Sequence, residues 1–327
     1  DNPRGKAVAE IIAAGAPVGF DADGRIVRAD CDDEHTCLMG QTRTGKSTLL
    51  ECLLHFLIEM PTDLVRLAVI DMKGGAHLNG YRARASAYAT NGTEAVALLE
   101  AIAAQVVTPR WDLLRSTDRQ KITEPTPDEP YWYVIVDEGG KLPPEAMDLL
   151  ATMSMEGAAG HCIVIFSAQY MRTEDGFPRP LDVNLPNRMA TRLPDQTASA
   201  KAMTRGGMNA SCRPDLIRRS KRTRGVFCHS AGGADPAYAK SMLTGGIRDQ
   251  RRRVRAALRA WGPPPPLVVG PVPEPEPEAE ELPVAEPEQW GDDRLAVMQA
   301  RLTELCGYIA GRPAAPDAGR ITRARLA

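Results

Sequence analysis

The sequence predicts an α/β domain with a mainly parallel central sheet flanked by helices. Three observations carry that expectation. Short β-rich runs alternate with helical apolar patterns, a glycine loop joins one such run to a helix, and two of the runs end on acidic residues. The 327 residues are 43% hydrophobic and 25% charged, which is ordinary for a globular chain and leaves room for one large domain with additions.

Taken in order, Thr36 to Met39 reads as a strand that enters the glycine loop. Lys46 to Met60 follows as a helix, with Leu49, Leu50, Leu53, Leu54 and Leu57 on one stripe. Leu67 to Ile70 reads as a buried strand ending at Asp71. Thr93 is the expected N-cap of a long helix carrying Val96, Leu99, Ile102, Ala103 and Val106, which Pro109 should kink or end. Tyr131 to Val136 and Ile163 to Phe166 are further strands. Between them Pro143 and Pro144 suit the first turn of a helix through Met147, Leu150 and Met153. Arg188 to Leu193 and Gly225 to Phe227 are shorter strand candidates.

No run approaches the roughly 18 to 20 apolar residues that cross a bilayer. The chain opens on Asp1 without a leader-like segment, so a membrane anchor or anchored partner is expected, if anywhere, in a segment upstream. Seven scattered cysteines do not make a disulfide scaffold, and their odd count suits reduced thiols in the cytoplasm. Cys31, His35 and Cys37 cluster, but they fall short of the four ligands of a structural zinc site.

The strongest chemical signal is Gly40-Gln41-Thr42-Arg43-Thr44-Gly45-Lys46-Ser47, which fits G-x-x-x-x-G-K-[ST] between a strand and a helix. Loop N–H groups and the helix N-terminus would surround phosphate oxygens, with Thr48 just inside the helix. Lys46 would hold the β- and γ-phosphates of ATP, and the Ser47 hydroxyl would take a Mg²⁺ position. A partner acid appears in Tyr-Trp-Tyr-Val-Ile-Val-Asp137-Glu138. There Asp137 would bind Mg²⁺ through water and Glu138 would deprotonate an attacking water. Gln169 follows the Ile163 to Phe166 strand, where a polar residue faces the ligand crevice of an α/β sheet.

These residues resemble the FtsK/SpoIIIE/HerA family of hexameric, RecA-like DNA-pumping ATPases over roughly Val18 to His229. The likeness rests on the phosphate loop and on Val69-Ile-Asp71-Met-Lys73-Gly-Gly-Ala-His77-Leu. It extends to Val-Ile-Val-Asp137-Glu138, Gly160 to Gln169, Asn184-Leu-Pro186-Asn-Arg188 and Gly225-Val-Phe. The family often has Glu where His77 stands, Arg-Pro where Tyr170-Met171 stands, and a D-S-R triplet near Gln196 to Ser199. The resemblance implies a RecA-like P-loop fold, ATP and Mg²⁺ as cofactors, a ring of six copies and double-stranded DNA as cargo, in chromosome partition or plasmid conjugation. It also implies a γ-phosphate-sensing role for Gln169 and an arginine reaching a neighbour's site, with Arg188 as first candidate and Arg192 as second. The alternative within the superfamily is a protein-secretion ATPase of the type VII kind, which carries several motor domains where this chain shows one phosphate loop.

Charge is unevenly spread. The total is −2, yet Lys201 to Ala260 holds 15 Lys plus Arg against three Asp plus Glu. That block suits sequence-independent phosphate contacts. It is followed from Gly262 to Glu288 by ten prolines and seven glutamates with no Lys or Arg, a composition that favours an extended spacer over a packed core. The expected division is therefore residues 1–30 as a lead-in, 31–260 as the ATPase motor domain and 261–289 as a Pro/Glu-rich, disordered linker. Residues 290–327 would be a short helical tail or truncated winged-helix domain.

Overall fold

The computed structural model describes residues 2–169, 179–203, 212–230 and 236–270. Helix α1 (Pro3–Ala13) starts at a proline and is capped by the Asn2 side chain, which accepts from Gly5 N. It leads into an antiparallel pair, β1 (Ala16–Phe20) and β2 (Ile26–Ala29). Next come β3 (Thr36–Met39), α2 (Lys46–Ile58), β4 (Val65–Asp71), a 3₁₀ turn over Asn79–Arg84 and the short β5 (Ala87–Ala89). Helix α3 (Gly92–Ile102) passes through a π turn (Ala103–Val107) into α4 (Thr108–Ser116). Then follow β6 (Tyr131–Asp137), α5 (Pro144–Glu156), β7 (Cys162–Ala168), α6 (Arg179–Val183), β8 (Asn187–Ala190) and α7 (Gln196–Met203). Strands β9 (Val226–Ser230) and β10 (Ala237–Ser241) precede the last described helix, α8 (Gly246–Trp261).

These strands form one sheet in the order β2-β1-β10-β9-β8-β3-β7-β6-β4-β5. From β8 to β5 every pairing is parallel; from β8 outward to β2 every pairing is antiparallel. Residues 1–30 are therefore more than a lead-in, since β1 hydrogen-bonds to β10 and extends the same sheet. Strand alternation sends side chains into two cores. Val65, Leu67 and Val69 meet Leu49, Leu53 and Val254 on one face, while Ala68 and Ile70 meet Leu99, Ile102 and Leu150 on the other. Both faces being covered explains why these strands read as continuous apolar runs.

Three local expectations change. The N-cap of α3 is Asn91, whose side chain accepts from Glu94 N at 3.0 Å, rather than Thr93. Pro109 does not end the helix: the turn before it widens to π geometry and α4 continues. The β8 strand stops at Ala190, short of Leu193.

The folded body also passes the expected boundary at Trp261. Leu267 N donates to Ser86 O at 2.9 Å, beside β5, and Gln105 Nε2 donates to Val268 O at 2.5 Å. Residues 262–270 thus form a strap across the open side of the edge strand. The rest of the expected linker, the tail 290–327 and Tyr170-Met171 lie outside the described residues.

Candidate active site

Strand β3 is where the strand order reverses: β4, β5, β6 and β7 lie on one side of it, β8 on the other. The crevice beyond the carboxyl ends of such strands is where α/β sheets bind ligands. The glycine loop occupies that place. Gly45 has φ +111°, and a Cβ there would lie 2.6 Å from the Gly225 backbone, so glycine is required on both counts. Gly225 N donates to Thr44 O at 2.8 Å, and Gln41 N donates to Arg192 O at 3.0 Å, so β9 and β8 brace the loop from behind. Thr44 Oγ1 is 2.6 Å from Thr191 Oγ1. The loop holds its shape with Gln41 N and Thr44 N already donating to carbonyls, and its other N–H groups and the first turn of α2, with Ser47 and Thr48, are the ones left to meet an anion.

Opposite the loop, β6 delivers Asp137 and Glu138. Asp137 is fully buried, and Glu138 is 6% exposed with left-handed backbone (φ 56°, ψ 46°). That conformation is uncommon outside glycine and is retained where the surroundings over-determine it. Lys46 Nζ lies 3.3 Å from Asp137 Oδ1, 3.4 Å from Glu138 Oε1 and 2.8 Å from Ser167 Oγ. Lys73 Nζ lies 3.1 Å from both Asp137 Oδ2 and Glu138 Oε1. His77 Nδ1 is 2.9 Å from Asp137 Oδ2.

Electrostatics follow from this packing. Burial alone would raise Asp137, but the His77 hydrogen bond and the two lysines reverse it and hold the carboxyl far below its usual range. Glu138 is likewise lowered, burial being outweighed by Lys46 and Lys73. Burial opposes charge on His77, and its bonds to Asp137 and Glu51 overcome that, raising the imidazole to about 9. The crevice thus presents two ionised carboxylates. With the Ser47 hydroxyl at the start of α2, an ionised Asp137 is a hard oxygen donor set that fits Mg²⁺.

The structure brings most of the predicted residues together. Gln169 follows the end of β7 and is exposed, whereas Ser167, two residues earlier, is the β7 side chain that touches both Lys46 and Asp137. Ser167, Lys73 and His77 carry contacts that no motif rule assigned to them. The available signal was a polar residue inside an apolar strand and two basic residues just past Asp71.

Arg188 departs from expectation. It is 2% exposed and donates to the carbonyls of Asp182, Lys201 and Ala202, so within the chain it fastens α6 and α7 to β8. Arg192 is closer to the chemistry, with Nε 3.4 Å from Gln41 Oε1 in the phosphate loop. The basic block divides as well. The turn carrying Arg218 to Arg224 reaches the loop, where Arg224 Nε donates to Arg43 O at 3.3 Å, while Arg248, Arg251, Arg252, Arg253, Arg255 and Arg259 lie on α8. His35 is a buried acceptor for Val164 N at 2.9 Å, and burial lowers it to about 4.

Comparison with known proteins bears on the fold and the family. The pCW3 conjugation coupling protein TcpA, in its monomer form with ATPγS, is 19% identical with a TM-score of 0.59, over 75% of this chain and 70% of that one. The cytoplasmic domain of the Thermomonospora curvata type VII secretion ATPase EccC is 20% identical with a TM-score of 0.61, over 78% of this chain and 32% of that one. EssC (ATPases 2 and 3) from Geobacillus thermodenitrificans is 13% identical with a TM-score of 0.60, over 77% of this chain and 50% of that one. This chain therefore spans about a third of the EccC chain and half of the EssC one. The shared fold is the RecA-like one expected. No curated protein matches the chain. The FtsK/SpoIIIE family model matches residues 6–174, more than half of the length. That span holds the phosphate loop together with both carboxylates facing it, and the chain belongs to the FtsK/SpoIIIE family and is a P-loop ATPase of that kind.

Proposed function

We propose that the chain is the motor unit of a double-stranded DNA translocase, working in the cytoplasm as a ring of six copies and coupled to plasmid conjugation or chromosome partition. ATP binding draws the Lys46 ammonium toward the β- and γ-phosphates, while loop residues Gly40 to Thr48 surround them. Ser47 and Asp137 would hold Mg²⁺, which would supply charge neutralisation at the phosphates. Glu138, ionised and released by Lys46, accepts the proton of the attacking water. Gln169, at the end of β7, is placed to respond to the γ-phosphate, and Arg192 or Arg224, beside the loop, replaces Arg188 as the arginine able to meet a neighbour.

The observation that favours DNA is the surface of α8. Arg252 and Arg253 pair with Asp249, and Arg248, Arg251, Arg255 and Arg259 stand exposed at helical spacing, a pattern suited to phosphates and blind to base sequence. Support also comes from the TcpA likeness, which spans most of both chains. Among the described residues no helix is long and apolar enough to cross a membrane.

ATP hydrolysis measured with and without duplex DNA at low salt tests the reading. Stimulation that fades as salt rises is expected. Flat hydrolysis at every salt, together with binding of an extended or helical peptide, would replace it with the protein-secretion reading that the EccC and EssC likenesses offer.

A further inference from the structure

His77 sits between the active site and α8, and no step of hydrolysis uses it. Its Nδ1 is 2.9 Å from Asp137 Oδ2 and its Nε2 is 3.4 Å from Glu51 Oε1, so the ring bridges β6 to α2. Glu51, itself buried, accepts from Gln250 Nε2 at 3.0 Å and from Thr244 Oγ1, one at the start of α8 and one just before it. Gln250 is 1% exposed. The backbone makes a second contact along the same route. Asp71 Oδ2 accepts from the amides of His77 and Leu78, and two residues on, a Cβ at Gly80 would fall 2.8 Å from Gln250 Cβ. The segment after β4 and helix α8 therefore approach too closely to move independently. At its other end α8 is fixed to α2, where Trp261 Nε1 donates to Glu59 O at 2.9 Å.

From this geometry we infer that His77 is a positioning residue for Asp137, and that the chain Asp137–His77–Glu51–Gln250 links the nucleotide site to α8 and its arginine face. A carboxylate held by an oriented imidazole keeps one geometry, as outer-shell partners do for catalytic ligands generally. Any change in the position of Asp137 on nucleotide binding is passed through one ring and one carboxylate to the helix that carries the exposed arginines. Coupling between two sites requires an element whose arrangement both sites bias, and this contact chain touches both. The inference rests on the ATPase reading of the site.

The test uses the full chain with three substitutions, reading ATP turnover and amide hydrogen exchange of residues 246–261 with and without Mg-ATPγS. The parent is expected to hydrolyse ATP and to change exchange in α8 when the nucleotide binds. His77→Ala should lower kcat by about 10- to 100-fold, with KM changing less, and abolish the α8 response. His77→Asn places an amide donor near the Nδ1 position yet cannot reach Glu51, so it should restore most of kcat and leave α8 unresponsive. Gln250→Leu should keep turnover and also lose the response. Parent-like kcat in His77→Ala overturns the positioning role. An α8 response surviving in both His77→Asn and Gln250→Leu, or absent from the parent, overturns the link. A parent that binds nucleotide without hydrolysing it refutes the ATPase reading, while the exchange comparison still decides the link.

Discussion

The crevice at the phosphate loop and the outer face of α8 both concentrate positive charge, and they treat it in opposite ways. In the crevice Lys46 and Lys73 lie within 3.4 Å of Asp137 and Glu138, and most of the cluster is out of water. On α8, Arg248, Arg251, Arg255 and Arg259 face solvent. Charges of the first kind are little screened and hold fixed positions, which chemistry needs. Charges of the second kind act through a solvent whose Debye length is about 8 Å at physiological salt, which suits a partner that slides.

Substitutions can break this contrast from either side. The largest effect is expected for Glu138→Gln, which should lower steady-state phosphate release by about 10²- to 10⁴-fold while nucleotide binding persists in equilibrium titration. Unchanged turnover would remove Glu138 as the base. Arg188→Ala should cost about 3 kcal/mol in urea unfolding, since three carbonyls, that of Ala202 buried, lose a charged donor. If the folded variant loses hydrolysis without losing stability, Arg188 returns to a catalytic role.

A buried neutral histidine offers a third handle. His35 is lowered by burial to about 4, against 6.5 for an exposed imidazole, so the folded chain binds fewer protons than the unfolded one between those values. Stability is then full above pH 6.5 and falls by about 3 kcal/mol as pH drops toward 4. His35→Asn, which keeps an acceptor for Val164 N, should flatten that slope in pH-dependent thermal unfolding. The smallest effect belongs to the outer face. Arg251→Gln with Arg255→Gln should reduce the slope of log binding constant against log salt by about 2 in duplex titrations. An unaltered slope would move the DNA surface elsewhere.

How much of this was legible in the sequence depended on whether the residues concerned are contiguous. The phosphate loop and the Asp137-Glu138 pair are read directly, because loop geometry and strand ends impose local spacing. The alternation of elements gave the parallel half of the sheet for the same reason. The cluster around Asp137 was not legible as a cluster. Glu51, the pair Lys73 and His77, and Ser167 come from three separate parts of the chain, α2, the turn after β4 and β7, and only the strand order brings them together. Strands β1, β2, β5 and β10 are three to five residues long and pair mostly at the margins, where periodicity is weak. Arg188 shows the opposite failure. The family resemblance suggested an outward reach, but carbonyls from α6 and α7 claim its donors.

The strap over β5 has a mechanical consequence. Because Leu267 is bonded to Ser86 and Val268 to Gln105, a pull applied beyond Gly270 meets the sheet margin and the π turn before it reaches Trp261. Tension is thereby diverted away from α8, and the helix that contacts the active site is insulated from whatever load the following segment bears.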